Sequence, residues 1–207
     1  MAKIIKFKQN RAKELRLHGG AGEVVQLGPN LAARQERERL QRIAQLESEI
    51  KHILEKGELP VRAQLEELCS LAPKSSYVVL GHAAWNYCDE NYANALTLIE
   101  QALALDPKNR LALRYQLGCC SKLAEQGEFD IDRLLLLIEE ALAAAPDDFN
   151  IIKFAAKFYI EELGPEHYSR AEPLIKAGLK LRPSDPLLLD YLRLLDKEKK
   201  EKQLWLC

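Results

Sequence analysis

The stretch N91-YANALTLIEQALALDP-K108-N109 carries small residues at Ala95 and Ala102, a branched residue between them at Ile99, and a stop at Asp106-Pro107. Ala95 and Ala102 are seven residues apart, which is two turns on one stripe of a helix. Small side chains there let a second helix approach closely, and Ile99 fills the space between them. Proline lacks the amide hydrogen and clashes with the preceding turn, so Pro107 ends the helix. Replacing Ala102 with Leu is expected to overpack the contact and cost about 1–3 kcal/mol.

The phrase recurs. "LEELCSLAP" ends at Pro73, "LIEQALALDP" at Pro107, "LIEEALAAAP" at Pro146 and "LIKAGLKLRP" at Pro183, at intervals of 34, 39 and 37 residues. Each is apolar at helical spacing and closes on a proline, so each proline marks the end of the second helix in a two-helix unit. One such unit cannot bury its apolar face alone, and stacking on its neighbours supplies the core.

This pattern resembles the tetratricopeptide repeat, a 34-residue helix-turn-helix unit. Tyr92, Ala95, Ile99, Ala102 and Pro107 stand at the family's spacings, and Leu117-Gly118 in "YQLGCC" matches its Leu-Gly pair. In the preceding helix, counting back from Pro107 places His82-Ala83 at that pair, while a real Leu80-Gly81 lies two residues earlier. The second unit has about five extra residues at "EFDID" and Leu134 in place of the expected alanine, so its helices are expected to splay. The third unit supplies Ala155, Ala156, Tyr159, Tyr168, Ala171, Ile175, Gly178 and Pro183, with about three extra residues at "LGPEH".

The resemblance implies an all-α, right-handed α-solenoid of TPR-like units with a C-terminal capping helix. Residues 1–29 read as a basic flexible arm and linker, and 30–74 as a long helix plus a degenerate repeat. Residues 75–184 read as three repeats, and 185–207 as the capping helix and tail. Asn30 is expected to cap a helix running to about Lys56. In it "ARQERERLQR" is too polar to be buried, while Leu40, Ile43, Leu46, Ile50 and Ile53 form a stripe that packs on the repeats or on a second copy. Asp185 caps the final helix, with Pro186 in its first turn.

In this family the first helix of each unit lines a groove. Carried over by position, the groove residues are Tyr77, Leu80, Ala84 and Tyr87, then Tyr115, Cys119 and Lys122, then Lys153, Lys157 and Ile160. Such a groove is aromatic at one end and basic at the other, and suits an extended peptide with an acidic segment. One subclass grips acidic chaperone C-termini with a Lys, Asn and Arg clamp. Here Leu80 and Ala84, or Val78 and His82 in the other register, occupy the first two clamp positions, so that role is not expected.

Other chemistry finds little support. Net charge is −1, and no apolar run reaches membrane-spanning length. The first twenty residues have no apolar stretch after their charges, so no secretory signal is expected. Cys69, Cys88, Cys119, Cys120 and Cys207 form no framework, which points to free thiols in a reducing, cytoplasmic setting. Cys119 and Cys120 are adjacent and cannot face each other on a helix; one is expected to pack inside and one to face the groove. His18, His52, His82 and His167 are scattered, and no metal or other cofactor is expected. "GGAG" lacks the Lys-Ser/Thr of a phosphate loop. Glu139-Glu140 read as a solvated face and Asp147-Asp148 as a helix start.

The expected function is therefore non-catalytic: a scaffold or adaptor holding a partner's peptide. The alternatives are a dedicated chaperone for an export or assembly substrate, and a regulatory subunit that tethers a partner, nucleic acid or anionic membrane. That tether is the basic arm Lys3, Lys6, Lys8, Arg11, Lys13 and Arg16. A homodimer through the 30–56 helix is the further possibility.

Overall fold

A computed structural model describes the backbone of residues 27–205 and the side chains of residues 31–201. The basic arm, the glycine-rich linker, His18 and Cys207 lie outside the described residues. Everything described is all-α: α1 (Leu27–Glu55), α2 (Arg62–Leu71), α3 (Ser76–Cys88), α4 (Tyr92–Leu105), α5 (Arg110–Glu125), α6 (Ile131–Ala144), α7 (Phe149–Lys157), α8 (Tyr168–Leu181) and α9 (Pro186–Trp205). Among the described residues no helix is long and apolar enough to cross a membrane.

Two compact units divide the chain, Met1–Leu40 and Gln41–Cys207. In the first, residues 31–40 are all exposed, as their polarity requires. Arg34 pairs with Glu38 and Arg39 with Glu36 along the helix surface. The helix begins at Leu27, so Asn30 lies inside it and is not its cap. Pro29 falls in the first turn, where a missing amide hydrogen costs nothing. Leu40 is exposed, against the expectation from the stripe.

In the second unit the end of each second helix follows one rule. Ala72, Asp106, Ala145 and Arg182 cap α2, α4, α6 and α8 with φ of −143°, −142°, −140° and −137°. A proline follows each one, and proline forbids the helical conformation to the residue before it. Each capping amide still donates to the carbonyl four back, at 2.7–2.9 Å. Three residues on, Ser75, Asn109, Asp148 and Asp185 donate their amides back to those same capping residues at 3.0–3.2 Å. The proline thus occupies the second position of a turn, which its fixed φ favours. The fourth residue of each turn is also the N-cap of the next helix. Ser75 accepts from Tyr77, Asn109 from Ala112, Asp148 from Asn150 and Ile151, and Asp185 from Leu188. Four copies of one local motif stop a helix, turn the chain and start the next helix.

The second helices repeat as well. α4, α6 and α8 each have 14 residues. Four residues after the cap stand Ala95, Leu134 and Ala171; eight after it, Ile99, Ile138 and Ile175; eleven after it, Ala102, Ala141 and Gly178. All nine are buried. Leu134 is the one large residue at the first of these positions, and α5 and α6 approach less closely than α3 with α4 or α7 with α8. The extra residues at "LGPEH" are absorbed locally. A π-type turn at Phe158–Glu162 is followed by Gly164 at φ 76° and a 3-10 turn at Pro165–His167, and α8 then starts in the usual place.

The core is divided along the chain. One cluster joins the end of α1 (Leu46, Ile50, Leu54) to α2, α3, α4 and the start of α5. A second joins α5, α6 and α7, and a third joins α7, α8 and α9 through Leu188, Tyr191 and Leu195. α3 also touches α5, and α5 touches α7. Polar links follow the same spacing. Asn109 donates to Ser76 at 3.2 Å, 33 residues away. Arg114 donates twice to Asp148, 34 away, and Lys153 donates to Asp185, 32 away. Successive clusters share a helix, α5 between the first two and α7 between the last two.

Candidate groove site

The side chains that sequence reasoning placed in one groove separate into three groups. Leu80, Ala84, Cys119 and Ile160 are buried core residues and line no groove. The reason is that α3, α5 and the π turn are each covered on more than one side. α5 shows this best. Cys119 belongs to the cluster shared with α3 and α4, and Cys120 to the cluster shared with α6 and α7. Both thiols are therefore inside, rather than one inside and one in the groove. Burial pushes each thiol up to about 12, so neither is a reactive thiolate at neutral pH. Cys69 and Cys88, by contrast, are exposed.

The lysines form the second group. Lys122 holds Glu125 at 2.7 Å and Lys157 holds Glu161 at 3.6 Å. Lys153 reaches the nearly buried carboxylate of Asp185 at 2.8 Å. Each cation lies within 4 Å of an acid of the same chain, Lys153 against a nearly buried one and the other two at the surface. Lys153 stands five residues after the Asp148 cap, as Arg114 stands five after the Asn109 cap. Each ties its helix to the aspartate that caps the next first helix or α9.

The tyrosines form the third group, and these do come together. Tyr87 packs edge-on to Tyr115 at 5.9 Å between ring centroids and to Tyr92 at 5.3 Å. Burial pushes the Tyr115 phenol up to about 12, with Cys88, Tyr87 and Cys119 adding to it, so it stays a neutral donor and acceptor. Tyr87 and Tyr115 line a cleft of about 410 Å³ with Leu54, Glu55, Lys56 and Gly57 from the end of α1, Leu111, Arg114 and Gly118 of α5, and Asn150 of α7. Gly118 leaves the floor low, since a Cβ there would have Tyr87 Oη as its nearest neighbour at 3.5 Å. A smaller cleft of about 230 Å³ adjoins it through Glu55, Leu111 and Arg114, and adds Tyr77, Lys51, Lys108 and Arg110.

Sequence reasoning missed Leu111, Arg114, Asn150 and the whole contribution of α1. A signal was present. Tyr77, Leu111 and Asn150 each stand two residues after an N-cap, so aligning the first helices on their caps finds all three. Aligned on those caps, Ala83-Ala84 of α3 stand at the place of Leu117-Gly118 in α5, one residue after His82-Ala83 and three after Leu80-Gly81, so neither expected register holds. Gly81 packs against Leu65 of α2, while Ala83 and Ala84 are buried in one cluster with Ala95 and Ala102.

Among the described residues no group of three or more His, Cys, Asp or Glu side chains is placed to hold a metal ion. The arrangement offers aromatic and aliphatic contact area, backbone-rich helix turns and paired charges, which suits binding. Comparison with protein-family models and with curated proteins finds no match to this chain.

Proposed function

We propose that this chain is a non-catalytic interaction module: a right-handed solenoid of TPR-like units that holds a peptide segment of a partner protein in the face lined by α1, α3, α5 and α7. Four copies of the proline turn, three second helices of equal length and a core divided between neighbouring units support the repeat reading. The resemblance to the tetratricopeptide family supports the handedness and the scaffold or adaptor role. A cytoplasmic setting goes with this reading, because the four described cysteines are free thiols.

The single observation that carries the binding reading is the 410 Å³ cleft with Tyr87 and Tyr115 in its wall and Gly118 in its floor. Tyrosines give large contact area at low entropy cost, and their unpaired hydroxyl groups fix orientation. A leucine at position 118 fills this cleft without entering the buried side of α5. The test is affinity capture from cell extract with the intact chain and with Gly118→Leu, both checked for helical circular dichroism and melting. A partner held by the intact chain and lost by the variant is the expected result. Partners held equally by both would remove the cleft from the function.

A further inference from the structure

Lys153 is committed to the nearly buried Asp185, and Lys122 and Lys157 meet Glu125 and Glu161 at the surface, while other cations stand on the cleft itself. Across the two adjoining clefts the lining carries Lys51, Lys56, Lys108, Arg110 and Arg114 against Glu55 and Asp106. Arg114 is committed to the nearly buried Asp148. The other four are differently placed. Lys56 and Lys108 enter no ion pair among the described residues. Lys51 is held loosely, 3.9 Å from Glu55, with half its side chain exposed. Arg110 meets Asp147 only at the open surface, where both are more than half exposed and such a pair is worth little. These cations gather where the last turns of α1 face the α4–α5 turn. The apolar floor, Leu111 with Tyr115, lies next to them.

We propose that the cleft takes an acidic-apolar peptide. The partner seats an aromatic or aliphatic side chain on Leu111, Tyr115 and Gly118, and lays one or more carboxylates against Lys51, Lys56 and Lys108. This rests on the cleft reading above and moves its anion subsite from the first helices of the repeats to the end of α1 and the α4–α5 turn. Charge complementarity selects the sign of the partner and steers its approach, while the floor supplies most of the contact area. Lys56 and Lys108, with no internal ion pair among the described residues, lose little on meeting a carboxylate, whereas Lys153 would first have to release Asp185.

A displayed library of random linear peptides, sorted on the intact chain, tests this. The same library is sorted on the double charge reversal Lys51→Glu/Lys108→Glu and on Gly118→Leu. Both lysines are surface residues, so the reversal leaves the core untouched, and circular dichroism checks that it does. The expected result is enrichment of Asp or Glu beside Phe, Tyr, Trp or Leu on the intact chain. The reversal should weaken those peptides about tenfold and enrich Lys or Arg in their place. Their binding to the intact chain should also fall with added salt. Peptides lost with Gly118→Leu but carrying no acidic preference would overturn the proposal and leave the cleft reading intact. No enrichment at all, or identical peptides on Gly118→Leu, would overturn both.

Discussion

In the α3–α4 pair, the first turn of the second helix brings Ala95 into the contact; in the α5–α6 pair, the same place four residues after the cap is Leu134. Both residues are fully or almost fully buried, at 0% and 1% exposure. The two glycines on the first helices differ in the opposite sense. Gly81 is buried against Leu65, whereas Gly118 is half-exposed on the cleft. Ala83 and Ala84 of α3 lie in one core cluster with Ala95 and Ala102 of α4, so that pair is closed by small residues on both its helices. The other carries a leucine at that place, and its two helices approach less closely. The comparison teaches that a repeat plan fixes which positions are buried, while the size of the residue at each position sets the local spacing.

Swapping the two residues breaks this comparison most directly. Leu134→Ala should leave a cavity in the second core cluster, because α6 is held by its neighbours at the leucine spacing. A loss of about 2–5 kcal/mol is expected in urea unfolding, with the midpoint falling. Ala95→Leu should fail in the opposite way, by overpacking α3 against α4, at about 1–3 kcal/mol. If Leu134→Ala were neutral in urea unfolding, the buried Leu134 side chain would not be filling the second core cluster.

The glycines sharpen the contrast at smaller magnitude. A Cβ on Gly81 would overlap the end of Leu65, which is itself fully buried and cannot swing away. Gly81→Ala should therefore lower the melting temperature even though alanine is the better helix former. Gly118→Ala meets only ordinary contacts and should raise stability by about 0.5–1 kcal/mol through helix propensity. Opposite signs from the same substitution are the outcome to look for in thermal melts.

The smallest effect expected is on the acid limb of stability. Burial opposes ionisation of Asp185, but the Lys153 ammonium and the backbone amides of Leu188 and Leu187 outweigh it and hold its carboxyl below the usual range. A carboxyl whose folded pKa is depressed contributes stability above its unfolded pKa and loses it as pH falls through the folded value. Lys153→Met should therefore destabilise the chain at neutral pH and flatten its loss of stability in acid. Glu172, drawn down to about 2 by Lys176 and Lys199, acts in the same direction at the surface. Denaturant midpoints from neutral pH to about pH 3 measure both.

The helix boundaries and their buried stripes were legible in the sequence because their causes are local. A proline ends a helix and restricts the residue before it, a Ser, Asn or Asp four residues past the helix end starts the next one, and an alanine-isoleucine-alanine stripe marks a buried face. These arguments need no knowledge of what lies across the contact, and they located the ends of α2, α4, α6 and α8 and the start of α9 to within a residue or two. Sequence reasoning also read the substitution at Leu134 as a splayed pair, which agrees with the looser approach of α5 and α6.

Tertiary structure decided what faces what. Lys122, Lys153 and Lys157 carry the same charge in the sequence whether they are free or paired. Only the fold brings Asp185 to Lys153 across 32 residues and Asp148 to Arg114 across 34. Cys119 and Cys120 cannot both be assigned to the core from helix geometry, because a helix has an inside only once its neighbours are placed, and α5 has neighbours on two sides. The cleft wall from the end of α1 was hidden for the same reason: Lys56 lies far along the chain from Tyr115, and only the fold brings the two to one cleft. Periodicity is a property of one helix and survives in its sequence, whereas partnership is a property of two and is written in neither alone.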